Sequence, residues 1–510
     1  MKHKKHLYLA FLILLGAVLF VFQNKTNGFN NGHHGNLSSH GMALARNLSA
    51  VKHPLFMFTR RSLLADGQIA YAGYNRFPVF PFLLIRLGTQ AFEPHLAEQI
   101  YVARLIMDLF FLMAMLVGFM LARELLQSDQ QALIATLLTF SSYYLLYYSD
   151  MIFNDIPALL GFVLALLLVV KNRNERKYTF LLVLTALFVV SMGWQPIAVF
   201  VSWLLVDLVH VIRQKLFKLT SFLARPSCVA TLSAIAFGVV ILLLQLLNEQ
   251  RVTGLPLRET DSFQSALWRF GLGASQSYAQ YAEALSWASF SIQQLFRMAS
   301  MIVPFADLLT GFIRLKYAVA AGLGVIAVAV ALCLHTPAAR SSVRAYLSAH
   351  RRVLLVMVLS GLMWSLPMRR FVVFHDFQTI FYIGIPIALF TGLGHVCHGA
   401  SRVCMTIVAA LFVLSVYAGN LHKTSDMPRL NGITAEFQRV GNHLPPDARV
   451  FFDVSDSTLG VGYCSLDYYA AGVIRASRDS ADYCLSLNAD YSGMRLTDNP
   501  HVNLFAIQRK

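Results

Sequence analysis

The chain has 510 residues, 56% hydrophobic and only 13% charged, where a soluble domain carries roughly 25% charged residues. That excludes a soluble enzyme and predicts a polytopic α-helical membrane protein. The formal charge of +16 gathers in short loops between apolar runs, so it reads as a topology signal and implies no nucleic-acid partner.

Windows of about 17–25 apolar residues predict eleven spans, near 7–23, 100–122, 131–148, 157–170, 179–193, 196–212, 228–247, 315–335, 353–367, 379–396 and 403–420. The first follows Lys2, Lys4 and Lys5 without a small-residue cleavage site, which reads as an uncleaved anchor. With the N-terminus inside, the inner loops hold Lys171, Arg173, Arg176 and Lys177, then Arg213, Lys215, Lys218 and Arg225, then Arg340, Arg344, Arg351 and Arg352. Basic residues therefore fall where cytoplasmic loops should lie.

This topology predicts a transmembrane domain over 1–421, with large outer loops at 24–99 and 248–314 and a short one at 368–378. The tail, 422–510, is expected outside as a small extracytoplasmic α/β domain, with strand-like runs at 448–454, 467–474 and 501–508. Cys464 and Cys484 both fall in it, where a disulfide is chemically permitted. Cys228, Cys333, Cys397 and Cys404 fall in or beside spans and read as packing residues.

In chain order, the first candidate cluster is 32–47, GHHGNLSSHGMALARN, just beyond the first span. His33, His34 and His40 can supply a general base or donors to a phosphate, or be plain polar loop residues. His34 and His40 stand six apart, which is not the spacing of a helical metal pair. No metal ligand is assigned, although a divalent cation stays possible. Arg46 and Asn47 end this stretch, on what reads as a helix. Further on, Tyr74 and Arg76 precede an amphipathic stretch over 80–87 that reads as an interfacial helix. Arg76, at its polar entry, can reach a lipid phosphate.

The second cluster is 149–157, SDMIFNDIP, beyond the third span. Asp150 and Asp155 can act as a base toward an acceptor hydroxyl or hold a divalent cation. Asp155, two residues before Pro157, also suits a helix N-cap. In the late loop, Arg369 and Arg370 run against the positive-inside pattern. They can clamp a phosphate or simply bind anionic headgroups. His375, Asp376 and Tyr382 follow beside them.

These residues carry a resemblance to the GT-C-type integral-membrane glycosyltransferases, the class of the protein O-mannosyltransferases and the lipid A aminoarabinose transferases. The resemblance covers the whole architecture: a long first outer loop, a polar turn after the third span and a tailing outer domain. His34-Gly35 through Ala45-Arg46-Asn47 is similar to an HG pair preceding an ARN helix in a bacterial subgroup. Tyr74-Asn75-Arg76-Phe77-Pro78 sits where the family usually shows a tyrosine–histidine–proline–proline segment, and the stretch 374–386 is similar to the family's late loop near the donor phosphate. One departure matters: no acidic residue occurs before Asp66, where most of the family place the catalytic aspartate.

The resemblance implies transfer of a hexose or pentose, with inversion, from a polyprenyl-phosphate-linked donor to a lipid, glycan or protein acceptor. The reaction is expected at the outer face of a bacterial inner membrane. The base is then Asp155, Asp150, His34 or His40, with His33, Arg46, Tyr74, Arg76, Arg369, Arg370, His375, Asp376 and Tyr382 on the substrates. Membrane lipids are the other expected partners. A transporter or flippase for a lipid-linked anion explains the same charges, Asp108 included, but the chain has no inverted repeat of the kind such carriers often show. Nothing specific in the sequence supports a non-enzymatic scaffold.

Overall fold

The computed structural model describes residues 2–22, 32–48, 55–93, 95–172, 179–215, 218–270, 272, 287–396, 402–425, 444–445, 447–453, 474–486, 494–495 and 503–506. Cys464 and the expected bridge to Cys484 lie outside these residues, as do the 467–473 part of the second expected tail strand and the side chain of His33.

The chain opens with α1 (Lys2–Phe22) and α2 (Gly32–Asn47), then the hairpin β1 (Phe58–Leu63) and β2 (Ile69–Gly73), and α3 (Phe80–Thr89). The helical core follows as α4 (Leu96–Leu126), α5 (Asp129–Phe140), α6 (Tyr143–Tyr148), α7 (Asp155–Lys171), α8 (Thr179–Met192), α9 (Pro196–Arg213), α10 (Leu219–Leu223) and α11 (Pro226–Thr253). The second large loop contains α12 (Asp261–Arg269), α13 (Trp287–Ile302) and α14 (Asp307–Thr310). The chain returns through α15 (Leu315–Cys333), α16 (Pro337–Ser365), α17 (Arg369–Phe374), α18 (Gly384–Val396) and α19 (Arg402–Ser425). Seven helical segments among the described residues are long and apolar enough to cross a membrane, and Leu7–Leu19 and Phe180–Met192 are shorter apolar helices.

Local chemistry sets the reversals. Gln127 turns left-handed at φ 56° to end α4, and the Ser128 side chain then accepts from the Gln131 backbone N–H to start α5. α11 starts at Pro226, where a missing N–H costs nothing, and stops at Gly254, whose φ of 70° suits glycine. The run expected as one span over 131–148 is broken between α5 and α6. There the Ser141 hydroxyl bonds back to the Leu137 carbonyl, while the Ser141 carbonyl accepts the Phe305 N–H at 2.9 Å. The apolar run at 379–396 likewise opens as a 3-10 helix, Asp376–Tyr382.

α4 packs along α7, and α9, α16 and α18 close the bundle around them. One buried apolar cluster runs from Leu12 of α1 through α4, α5, α7 and α16 to Val416 of α19. Over one end lies a seven-stranded sheet in the order β2-β1-β4-β3-β5-β7-β6. Its tail strands are β3 (Arg449–Asp453), β4 (Ile474–Arg475), β5 (Tyr483–Ser486), β6 (Met494–Arg495) and β7 (Asn503–Ala506). β4 pairs in parallel with both β1 and β3, so one ladder joins the first loop to the tail. Paired strands share one side of any membrane, so these two segments lie on the same face, called here the sheet face.

Candidate active site

The two polar clusters picked out in the sequence meet. α2 lies against the turn between α6 and α7, where Ser38 Oγ accepts the Ile152 N–H at 3.1 Å. The contact depends on Gly41: a Cβ there would stand 2.0 Å from the Ile152 carbonyl oxygen. Asn47 fixes the far end of α2 by donating to the carbonyls of Phe58 and Thr59 at 3.1 and 3.0 Å. Arg46 is half-buried on the same last turn.

Within this junction, His34 Nε2 lies 3.0 Å from Asp150 Oδ1, and Arg104 Nη1 donates to Asp150 Oδ2 at 2.6 Å. All three side chains are buried. The His34 ring stacks on Tyr148 and meets Tyr147 edge-on. Arg104, inside α4, escaped the sequence reading, although a guanidinium within an apolar span is itself a signal. The ion pair supplies the countercharge that a carboxylate needs when removed from water.

Asp155 occupies a separate polar node at the start of α7, fully buried. Its Oδ1 accepts from Gln378 Nε2 at 2.7 Å and from Gln195 Nε2 at 3.2 Å. Gln378 Oε1 in turn accepts from Trp364 Nε1 at 2.8 Å. Among the described residues, Asp155 Oδ2 has no hydrogen-bond partner. Asp155 thus sits inside the helix rather than capping it: the N-cap position belongs to Asn154, whose side chain makes no capping bond.

Two cavities lie near this node. The first, of about 450 Å³, is mostly apolar and runs between α9, α11, α12 and the end of α16, with Trp194, Ile235, Val239 and Trp364 in its wall. Ile235 and Val239 are also 42% and 49% exposed on the flank of α11, so the cavity borders the lipid-facing side. The second, of about 690 Å³, lies toward the sheet face and is more polar, with His40, Tyr74, Glu259, Asp261 and His375 in its wall.

Arg76 and Arg269 belong to both walls. Arg269 is held with its guanidinium over the Phe77 and Phe371 rings, 4.8 and 4.5 Å from their centroids. Its Nη1 donates to the Arg76 carbonyl at 3.4 Å. Arg76 forms a two-point pair with Asp261, at 2.7 and 2.5 Å, and lies 4.5 Å over the Tyr74 ring. The His40 ring packs 4.1 Å from Tyr74. Burial, and then the Arg76 charge, lower the His40 pKa to about 3, so its imidazole is neutral at physiological pH.

Glu249, at the end of α11, braces this wall. It accepts from the Asp261 N–H at 2.9 Å, from the Ser262 hydroxyl and from Asn75 Nδ2 at 3.4 Å. Asn75 Oδ1 accepts the Met57 N–H at 2.6 Å within the first large loop, so its Nδ2 bond to Glu249 ties that loop to the second. Arg269, Asp261 and Glu249 were all missed by the sequence reading. Arg269 carried the same signal as Arg369, a cation in a loop expected outside, but without a neighbouring motif to mark it.

The late-loop residues divide. His375 reaches the polar cavity, its ring 4.4 Å from Phe371. Asp376 accepts a hydrogen bond from Tyr148. Arg369 lies 4.2 Å over the Trp287 ring, and neither Arg369 nor Arg370 is in the wall of either cavity. Tyr382 is buried, its hydroxyl bonded to Gln294 Oε1 at 2.8 Å and Ser365 Oγ at 2.9 Å. Arg297 donates to the carbonyls of Val372 and Val373 at the end of α17, and its desolvation lowers its pKa from the usual range. Among the described residues, no group of three or more histidine, cysteine or acidic side chains converges as for a metal ion.

No protein-family model matches the chain, and no curated protein does. Solved structures do show similarity. ArnT from Cupriavidus metallidurans bound to undecaprenyl phosphate is similar over 98% of this chain and 97% of its own, at 13% identity and a TM-score of 0.44. The oligosaccharyltransferase of Archaeoglobus fulgidus in its apo form is similar over 94% of this chain and 66% of its own, at 13% identity and a TM-score of 0.48. The same archaeal enzyme, AglB, in complex with an inhibitory peptide and a dolichol-phosphate is similar at 12% identity and a TM-score of 0.48.

Proposed function

We propose that the chain is an integral-membrane glycosyltransferase that takes a sugar from a polyprenyl-phosphate donor and passes it to an acceptor hydroxyl at the sheet face, which is the outer face. The observation that carries this reading is the pair of cavities sharing Arg76 and Arg269. An isoprenoid chain needs an apolar slot open to lipid, a phosphate needs fixed cations, and a sugar needs a polar chamber. The three follow one another here in that order, with the guanidiniums at the join.

In the proposed reaction the acceptor oxygen attacks the anomeric carbon as its proton passes to a carboxylate. The bond from that carbon to the phosphate oxygen breaks, and the lipid phosphate leaves with the electron pair. Arg269 and Arg76 would stabilise the charge gathering on the leaving phosphate. Asp155 is proposed as the base, supported by its Oδ2, unpartnered among the described residues, and by its link through Gln378 to Trp364 of the cavity wall. Asp261 competes for the role, because it lines the polar cavity directly. His34, Asp150 and Arg104 would position the turn that carries Asp155.

The test is transfer by purified protein in nanodiscs, from a panel of polyprenyl-phosphate sugars to membrane extract, read as a sugar-sized mass gain. Asp155→Asn is expected to abolish the gain with donor still bound. If Asp261→Asn abolishes it instead, the base is reassigned. Donor movement across the membrane without any mass gain would sink the transferase reading in favour of a carrier.

A further inference from the structure

A third cavity, of about 430 Å³, lies at the other end of the bundle. It is remote from the candidate site. α11 runs from Arg225, in this cavity's wall, to Glu249, in the polar cavity's wall. Those 24 residue steps span on the order of 36 Å along one helix.

We infer that this cavity binds the phosphate headgroup of an anionic phospholipid. Arg213 and His210 reach it from the end of α9, Arg225 from the start of α11, and His350, Arg351 and Arg352 from α16. Three segments far apart in sequence thus bring four arginines to the wall of one concavity, Arg213, Arg351 and Arg352 exposed there and Arg225 half-buried. A general excess of positive charge in inner loops would place cations along a surface but gives no reason for them to converge on a hollow. The backbone N–H groups of Ser227 and Cys228, which follow Pro226 in the first turn of α11, add a favourable end for an anion. Among the described residues the one carboxylate in the wall is Asp207, which accepts from Ser227 Oγ at 2.7 Å.

The rest of the wall specifies a lipid rather than a free anion. Along α9, Trp203, Val206 and Val209 precede His210 and Arg213. Along α16, Leu355 and Val356 follow Arg351 and Arg352. Both helices therefore run from a charged rim into an apolar floor, in opposite chain directions but the same spatial one. A headgroup phosphate at the rim leaves its acyl chains against the floor.

The experiment is native mass spectrometry of the full chain released from mixed phosphatidylglycerol and phosphatidylcholine micelles. Three double variants are compared: Arg351→Gln with Arg352→Gln, Arg213→Gln with Arg225→Gln, and Arg340→Gln with Arg344→Gln. The last pair is exposed on α16 outside the cavity. All three must elute as the wild type does on size exclusion. Wild type is expected to retain phosphatidylglycerol over phosphatidylcholine, and each cavity pair to lower that retention roughly tenfold or more. The Arg340 and Arg344 pair is expected to change it less than about twofold. Equal loss in all three pairs would reduce the cavity to general surface charge and overturn the inference. Inorganic phosphate forms a second arm: saturable binding lost in the cavity pairs, with lipid retention unchanged, would make the occupant a free anion and also overturn it.

Discussion

At the residue scale, the arginine that matters most to the proposed chemistry is one the sequence did not mark. Arg269 lies over the Phe77 and Phe371 rings at the join of the cavities and is buried. Arg269→Gln is expected to lower transfer on the order of 100-fold; an unchanged kcat/KM would remove Arg269 from the leaving-group role. Arg104 tests a different kind of charge. Arg104→Met removes the guanidinium from buried Asp150 and leaves it the His34 contact, at a cost of about 3–5 kcal/mol, read as a lowered Tm in detergent. Adding Asp150→Leu is expected to restore most of the loss, because the penalty belongs to the stranded carboxylate.

His40 carries a pH prediction whose sign follows from its depressed pKa. Its folded pKa of about 3 lies below the ordinary 6.5, so between those values the unfolded chain binds the proton first. Its contribution to stability is full above about pH 6.5 and is lost as pH falls toward 3. In thermal melts over that range, His40→Gln is expected to show a shallower decline than wild type. Parallel curves would mean that the imidazole is solvated.

At the scale of elements, α2 and the turn before α7 form one unit. Each was marked in the sequence by polar residues at the edge of an apolar span, and the expected helix ending in Ala-Arg-Asn is there. The sequence did not show that Gly41 sets their distance, since a close approach is a property of two segments at once. Gly41→Val is expected to force α2 away from Ile152, destabilising the protein by roughly 1–3 kcal/mol and lowering transfer. A wild-type Tm would show that the helix relaxes without loss. The second-loop helix α12 was unmarked because its short amphipathic pattern resembles any surface helix, yet it delivers both Asp261 and Arg269.

At the scale of the whole molecule, the sheet stitches the first loop to the tail. β1 has β2 on one side and β4 on the other, so the tail protects backbone groups of the hairpin. Removing the tail from residue 444 onward is expected to speed amide exchange at Arg61 and Ser62, whose partners Ile474 and Arg475 would go. Unchanged exchange would show that the hairpin stands alone. Above the hairpin sits the polar cavity, so the same ladder steadies the wall carrying Tyr71 and Tyr74.

The sequence by itself determined the class: apolar runs cannot be left in water, charge cannot be left in lipid, and the two constraints place most helices and most loops. It also marked where polar residues crowd the ends of spans, hence His34, Asp150 and Asp155. Only the tertiary structure decided which of these touch. His34 found Asp150, Asp155 found Gln378, and Arg369 found Trp287 away from the cavities that Arg76 and Arg269 share. The physical reason is that hydropathy acts on each residue's solvent, which can be read along a chain. A hydrogen bond or an ion pair acts over about 3 Å between residues far apart in the chain, as Asp155 and Gln378 are, and that distance exists only once the helices have packed.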